Sequence, residues 1–76
     1  MEKYLNLSGT SSILSYEFTD TSIHVQFKSG THQNYLYDNV KPGEVIVNKM
    51  KALASQGHGL NSYITRVVKT NYSKRW

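Results

Sequence analysis

The clearest pattern in the chain is residues 22–37, SIHVQFKSGTHQNYLY, where apolar and polar side chains alternate on both sides of a glycine. Ile23, Val25 and Phe27 occupy every second position, and alternation resumes around Tyr35. A period of two is typical of a half-buried β-strand, and Lys-Ser-Gly between two such runs favours a turn. The stretch therefore predicts two antiparallel strands joined by a hairpin loop.

The length of that loop sets which sheet face carries Tyr35 and Tyr37, because a shift of one residue turns every side chain to the other face. A two-residue turn at Ser29 and Gly30 places both tyrosines on the polar face. A three-residue loop with a left-handed glycine places them on the apolar face instead. Serine tolerates positive φ poorly, which favours the longer loop, whereas burial of the apolar residues on one face favours the turn. Both registers stay open, and we expect the two-residue turn, which exposes the tyrosines. They would share that face with His24, Gln26 and Lys28.

A third strand precedes the hairpin. Leu14, Tyr16 and Phe18 again occupy every second position, and residues 19–21, Thr-Asp-Thr, end the pattern. Short connections between successive strands favour antiparallel neighbours. The first half of the chain therefore predicts a three-stranded antiparallel meander.

The sheet is followed by a predicted helix. Pro42 suits the first helical position, where its missing N–H costs nothing, and Gly57 suits a left-handed stop at the end. The apolar residues between them lie on one face at helical spacing. They are Ile46, Met50, Leu53 and Ala54.

A second helix is predicted after a glycine-containing hinge. Asn61 or Ser62 can cap its first turn, and Leu60 would pack at its start. Its apolar stripe would consist of Ile64, Val67 and Val68.

Together these elements predict an α+β domain of the order β-β-β-α-α, with both helices on one face of the sheet. We expect the domain to span residues 12–72, after a lead-in of residues 1–11 and before a basic, aromatic tail of residues 73–76. The tail has no period, and we expect it to be ordered only if Tyr72 or Trp76 docks on the domain.

Composition narrows the function classes. The 76 residues contain no cysteine, which excludes disulfides, thiolate zinc sites and cysteine nucleophiles. The longest apolar runs are far shorter than a membrane span, and the N-terminus lacks the features of a signal peptide, so we expect a cytoplasmic protein without a membrane partner. Nine Lys and Arg against five Asp and Glu give a net charge of +4, which favours anionic partners, nucleic acid above all.

The residues also resemble a known family, the KTSC domain. The resemblance covers residues 12–72. It rests on Phe27, Gly30, the Tyr-Leu-Tyr of residues 35–37, Val40 before the helix, the Ala-Ser-Gln-Gly of residues 54–57 and the segment from Leu60-Asn61 to Ile64. KTSC domains occur at the C-terminus of some lysyl-tRNA synthetases and as stand-alone bacterial and phage-type proteins. The resemblance implies a domain of unsettled function for which RNA binding has been suggested, partly from its attachment to a tRNA enzyme, and it implies no catalytic residues. The chain differs from the family pattern at Gly59, where an aromatic residue is common, and at Lys41, which separates the preceding valine from Pro42.

Basic residues beside aromatic ones form the predicted binding site. Nucleic-acid grooves need cations that neutralise phosphates and rings that stack on bases. The second helix and the tail supply the cations, and the exposed tyrosines and the tail supply the rings. The candidate nucleic-acid-binding residues are Arg66, Lys69, Lys74, Arg75, Tyr35, Tyr37 and Trp76. The same charges are also common on solvated helix faces.

The sequence gives weaker support to an anion site, a metal site or a catalytic site than to a nucleic-acid site. The hinge before the second helix could hold an anion on the first N–H groups of that helix, which makes Gly57, Gly59, Asn61 and Ser62 candidates. The three histidines and five carboxylates have no metal-ligand or triad spacing, so we expect no metal, no cofactor and no catalytic residue.

The sequence therefore predicts a small non-enzymatic nucleic-acid-binding module, with RNA preferred, that is a monomer or a weak homodimer. The alternative is a protein-interaction module, for example a phage-type inhibitor that docks on a larger host complex.

Overall fold

The computed structural model describes residues 2–7, 9 and 11–76, and within them an antiparallel five-stranded sheet packs against two helical segments. The α+β class is confirmed, but the predicted number of strands is wrong. The strands lie side by side in chain order. They are β1 (Glu2–Lys3), β2 (Ile13–Phe18), β3 (Ser22–Phe27), β4 (Asn34–Asp38) and β5 (Lys74–Arg75). The helices are α1 (Glu44–Gln56) and α2 (Leu60–Tyr63), and α2 continues directly into a π-helical turn, Ile64–Val68.

Both ends of the chain add an edge strand. The predicted lead-in carries β1, after which Tyr4 donates its N–H to the Leu14 carbonyl at 3.1 Å and is almost fully buried. The predicted tail carries β5, where Trp76 and Asn34 exchange two backbone hydrogen bonds of 2.9 and 3.0 Å. Each of these strands has two residues, too few to show a sequence period. Met1, Ser8 and Thr10 of the lead-in lie outside the described residues.

The expected hairpin register is wrong. Ile23 pairs with Tyr37 and Val25 pairs with Tyr35, whereas the two loops considered above would pair Ile23 with Leu36 or with Tyr35. The loop is longer than either, because the Phe27 N–H reaches the Gln33 carbonyl at 2.8 Å. Both tyrosines consequently lie on the same face as Ile23 and Val25. The longer loop confines positive φ to Gly30, at 115°, and so spares Ser29 the left-handed conformation that a tight turn demands.

A β-bulge changes which residues of β2 face the core. Ile13 pairs with Phe27 but Ser15 pairs with Gln26, so Leu14 is the extra residue. Ile13 is therefore buried and Leu14 is exposed, although the alternation of Leu14 with Tyr16 had marked Leu14 as part of the apolar set.

Helix α1 begins later than predicted. Gly43, with φ of 115°, is its N-cap, and Pro42 lies in the preceding loop, where it forms an isolated β-bridge with Asp38. Val47, which was not predicted in the apolar face, is fully buried, together with the predicted Met50 and Ala54. Ile46 and Leu53 are half-buried.

The predicted glycine stop is confirmed. Gly57 is left-handed, with φ of 82°, and its N–H reaches the carbonyls of Leu53 and Ala54. Helix α2 begins at Leu60 with Gly59 as its N-cap, not at Asn61 or Ser62. Of the predicted stripe, Ile64 and Val68 are buried but Val67 is 51% exposed, since the stretch is π-helical.

The core lies between the sheet and the helices. Its buried members come from the N-terminal segment as well as from the predicted elements, and Tyr72 of the C-terminal segment packs against them while partly buried. They are Tyr4, Ile13, Ile23, Val25, Tyr37, Val47, Met50, Ala54, Leu60, Ile64 and Val68.

Candidate nucleic-acid interface

A groove of about 480 Å³ opens beside β5. Its walls are the β3–β4 loop (residues 29–32), the start of the π-helical turn together with the two residues that follow the turn (residues 64–65 and 69–70), and the C-terminal segment with Tyr72 and Arg75. We name it the β5 groove. It exists because the C-terminal segment turns back to pair with β4, which places residues distant in sequence around one opening.

Aromatic rings form the floor of the β5 groove. Tyr35 lies at the centre, with Phe27 and Tyr72 nearly perpendicular to it at ring-centroid distances of 5.2 Å each. Tyr37 stacks on Tyr35 at 6.5 Å and is 1% exposed, and burial raises the pKa of the Tyr37 hydroxyl. Tyr37 therefore lies beside Tyr35 in the core, and the predicted role of its ring as an exposed stacking platform does not fit this burial. Tyr35 and Tyr72 are half-buried.

Cations lie at the rim of the β5 groove. The Arg75 guanidinium lies over the Tyr72 ring, 5.3 Å from its centroid, and Lys69 belongs to the opposite wall. His32 adds an imidazole from the β3–β4 loop. Among the described residues, no Asp or Glu lines the groove. The groove therefore has a positive rim with no carboxylate of its own to neutralise it.

Lys69 has an unusual backbone. Its N–H bonds to the Ile64 carbonyl, which closes the π-helical turn, and its φ of 53° and ψ of −121° lie in a region that L-residues rarely adopt. Both π-turns and such strained residues concentrate at functional sites, where the surrounding structure holds them. Here the two coincide on a residue of the groove's rim.

The other face of the sheet carries a second aromatic and basic cluster. The His24 ring lies 5.0 Å from the Trp76 ring, and Lys74 lies over Trp76 at 5.5 Å. His24 is held by a hydrogen bond of 2.9 Å between its Nε2 and Asn34 Oδ1. We name this cluster the open-face cluster. Arg75 pairs with Tyr35 whereas Lys74 pairs with Leu36, so the two neighbouring cations of β5 point to opposite faces.

The predicted site residues thus divide into three groups. Tyr35, Tyr37, Lys69 and Arg75 come together in the β5 groove, and Lys74 and Trp76 lie in the open-face cluster. Arg66 is exposed on the π-helical turn and is not part of the groove lining. Sequence reasoning missed Phe27, His32 and Tyr72 as members of the groove. Of these, Tyr72 had a visible signal, since it is an aromatic residue three positions before an arginine.

The predicted anion-binding hinge packs against the N-terminal segment. The Leu60 N–H donates to the Tyr4 hydroxyl at 3.3 Å, and the Gly57 carbonyl accepts the Leu7 N–H at 2.8 Å. Asn61 Oδ1 accepts a hydrogen bond of 3.1 Å from the Ser12 hydroxyl. The Gly57 carbonyl, the Asn61 side-chain oxygen and the first N–H of α2 thus each have a partner within the fold. Gly59 is the N-cap of the helix, and Ser62 is exposed. The geometry does not favour an anion at this hinge.

A carboxylate fastens the loop after β4. Asp38 Oδ1 accepts the N–H groups of Val40 and Lys41 at 3.0 and 2.8 Å. The Lys41 N–H and the Ser73 hydroxyl hold the pKa of this carboxyl below its usual value. Because Ser73 directly precedes β5, Asp38 also helps to fix the segment that forms one wall of the groove.

Residues 2–7, 9 and 11–76 contain neither a candidate metal site nor a candidate membrane-spanning helix. No cluster of three or more His, Asp or Glu side chains there could hold a metal ion. No helix in that part of the chain has the length and apolar character to cross a membrane.

Comparison with known proteins identifies no relative. No protein-family model, no curated protein and no solved structure matches the chain. The resemblance to the KTSC domain therefore stays a prediction that rests on the residues alone.

Proposed function

We propose that the protein binds single-stranded nucleic acid, RNA in preference to DNA, at the β5 groove. The observation that carries the proposal is the meeting of Lys69 and Arg75 with the rings of Tyr35 and Tyr72 in one opening without a carboxylate among its described lining residues. The KTSC-like residues favour the same function.

The chemistry of the groove suits an unpaired strand. Lysine and arginine side chains neutralise phosphates and release their counterions, which provides affinity that does not depend on base sequence. Stacking of a base on an aromatic side chain adds about 1–3 kcal/mol per base and tolerates every base. A paired duplex hides its base faces, whereas single strands expose them to such rings.

The open-face cluster gives the bound strand a continuation. Because β5 is the edge strand, a chain that leaves the groove across this edge reaches Lys74 and Trp76 on the other side. Trp76 is 48% exposed, so its ring has a surface for a second base. This arrangement supports a binding path that crosses the edge of the sheet.

Removal of the two rim cations is the direct test. We expect Lys69→Ala combined with Arg75→Ala to weaken binding of a labelled single-stranded RNA by about tenfold or more at low salt, since each cation contacts a phosphate. The slope of log K against log salt should become shallower by about 1.4, at about 0.7 per lost contact. Fluorescence anisotropy over a series of salt concentrations measures both quantities. Lys41→Ala combined with Lys49→Ala is the matched control, because it removes the same charge from exposed positions outside the groove.

Equal losses in the two double variants would mean that net charge alone attracts the strand, and the assignment to the groove would be wrong. Absence of RNA binding even at low salt would overturn the proposal, because the electrostatic attraction is strongest there. That result would favour the alternative, a protein-interaction module, whose binding should resist salt.

Replacement of Lys69 by glycine should have opposite effects on stability and binding. Glycine adopts a φ of 53° and ψ of −121° freely, so we expect Lys69→Gly to raise the free energy of unfolding by about 1 kcal/mol. The same variant should bind RNA several-fold more weakly, because the cation is gone. Urea denaturation followed by circular dichroism, together with the anisotropy titration, checks the pair of effects. A variant that is both more stable and equally active in binding would show that Lys69 has no part in the site.

A further inference from the structure

We propose that the β5 groove is a pocket for one unstacked nucleotide, with its base against the rings of Tyr35 and Tyr72 and its phosphate between Lys69 and Arg75. The inference rests on the proposed function and makes it more specific: the recognised unit is a single nucleoside monophosphate, either within an RNA strand or free.

The size of the groove favours a ligand of this kind. Its volume of about 480 Å³ lies within the range of roughly 300–1,000 Å³ that is usual for small-molecule pockets. Residues of the β3–β4 loop, of the π-helical turn and of the C-terminal segment line it together. The groove is open to solvent, and an unpaired nucleotide can place its base against the rings there, whereas a base inside a duplex is stacked on its neighbours and cannot.

The ring geometry favours a flat heteroaromatic group. Phe27 and Tyr72 stand at 84° and 79° to Tyr35, so neighbouring rings present faces and edges in turn. A flat ring that stacks on one of these side chains meets the edge of another, and both arrangements are favourable for aromatic pairs. An aliphatic anion has no ring and would make neither the stacked nor the edge-to-face contact.

The cations favour a phosphate next to that ring. Arg75 is held over Tyr72 by its cation–π contact, so its guanidinium covers one face of that ring and lies next to a base that stacks on the remaining ring surface. A guanidinium binds phosphate oxygens through two parallel hydrogen bonds, and Lys69 adds a second positive charge from the other wall. Because no described lining residue is a carboxylate, these cations have no competing partner in the groove.

Hydroxyl groups supply partners for the sugar. Ser29 and Thr31 lie in the loop wall, and Thr65 and Thr70 lie in the helical wall. Hydroxyls donate and accept hydrogen bonds, so they match the 2′- and 3′-hydroxyls of ribose. The Thr65 hydroxyl donates to the Asn61 carbonyl at 2.9 Å and would serve the sugar as an acceptor only. The groove thus contains a partner for each part of a ribonucleotide.

Calorimetric titration of the full chain with three small probes tests the inference. AMP should saturate a single site, whereas adenosine and inorganic phosphate should each bind at least about tenfold more weakly, a difference of about 1.4 kcal/mol. Arg75→Ala should abolish the advantage of AMP over adenosine, and Lys49→Ala should leave it unchanged. Arg75 is exposed, so its variant keeps the core intact, and the comparison of AMP with adenosine on the unmodified chain requires no variant at all.

The outcomes separate this inference from the proposed function. Phosphate binding as strong as that of AMP would overturn the inference, since it would show a simple anion site. An RNA strand that binds through Lys69 and Arg75 while AMP does not saturate would overturn the inference and leave the proposed function standing. AMP binding without tighter binding of an RNA strand would support the nucleotide pocket and overturn the proposed function.

Discussion

Replacement of Tyr37 by alanine should lower the free energy of unfolding by about 3–5 kcal/mol, the usual cost of truncating a large buried ring. Tyr37 is 1% exposed and is among the largest fully buried side chains of the structure. It pairs with Ile23 on the neighbouring strand and stacks beside Tyr35, so its loss leaves a cavity next to the floor of the β5 groove. A domain of this size is typically stable by only roughly 4–11 kcal/mol, at about 0.05–0.15 kcal/mol per residue. The Tyr37→Ala substitution is therefore expected to remove a large part of the free energy of unfolding.

Urea denaturation of the variant, followed by circular dichroism, measures the effect. Tyr37→Phe is the matched control, since it keeps the ring and should cost far less than the alanine variant. A loss below about 1 kcal/mol for Tyr37→Ala, the range of surface substitutions, would contradict the register in which Tyr37 faces the core.

Replacement of Gly57 by alanine should destabilise the domain by about 2–4 kcal/mol, because it combines backbone strain with a steric clash. Gly57 has φ of 82°, and a Cβ added to it would lie 2.6 Å from Leu5 Cβ. Leu5 Cβ is close to the main chain and cannot move aside as the end of a side chain can. The N-terminal segment would have to separate from the end of α1, and the hydrogen bond from Leu7 N–H to the Gly57 carbonyl would be strained.

Gly9→Ala is the control that separates the steric clash at Gly57 from the cost of the left-handed backbone. Gly9 has a similar φ of 76°, but a Cβ there would meet no atom within 4 Å. It should therefore show only the cost of the left-handed conformation, about 1 kcal/mol. Thermal unfolding of both variants gives the difference, and equal losses would rule out close packing of Leu5 on Gly57.

Local pattern predicted the central part of the fold. The alternation from Ile23 to Phe27 predicted β3, and Gly57 predicted the end of α1, because each depends on a preference that acts over a few residues. The hairpin register could not be derived in the same way. The penalty for positive φ at Ser29 and the burial of apolar residues favoured different loops, and the observed five-residue connection, which buries Tyr37 and leaves Leu36 on the face of His24, was outside the two alternatives.

Pairing over long distances in the chain accounts for the remaining differences. β1 and β5 are strands only because β2 and β4 offer free edges to them, and neither has a period of its own. The candidate site was consequently predicted in its composition but not in its arrangement. Lys74 and Arg75 looked equivalent in sequence, and only the pairing of β5 with β4 assigns Arg75 to the groove and Lys74 to the opposite face.

The two edge strands also bear on solubility. A free sheet edge is a template on which further chains can add, and proteins counter this with short, charged edges. Here each edge strand has two residues, and every one of them is charged: Glu2 and Lys3 on one side, Lys74 and Arg75 on the other. The cations that we assign to nucleic-acid binding thus also make the C-terminal edge a poor site for aggregation by strand addition, so selection for colloidal stability and selection for binding would act on the same two side chains.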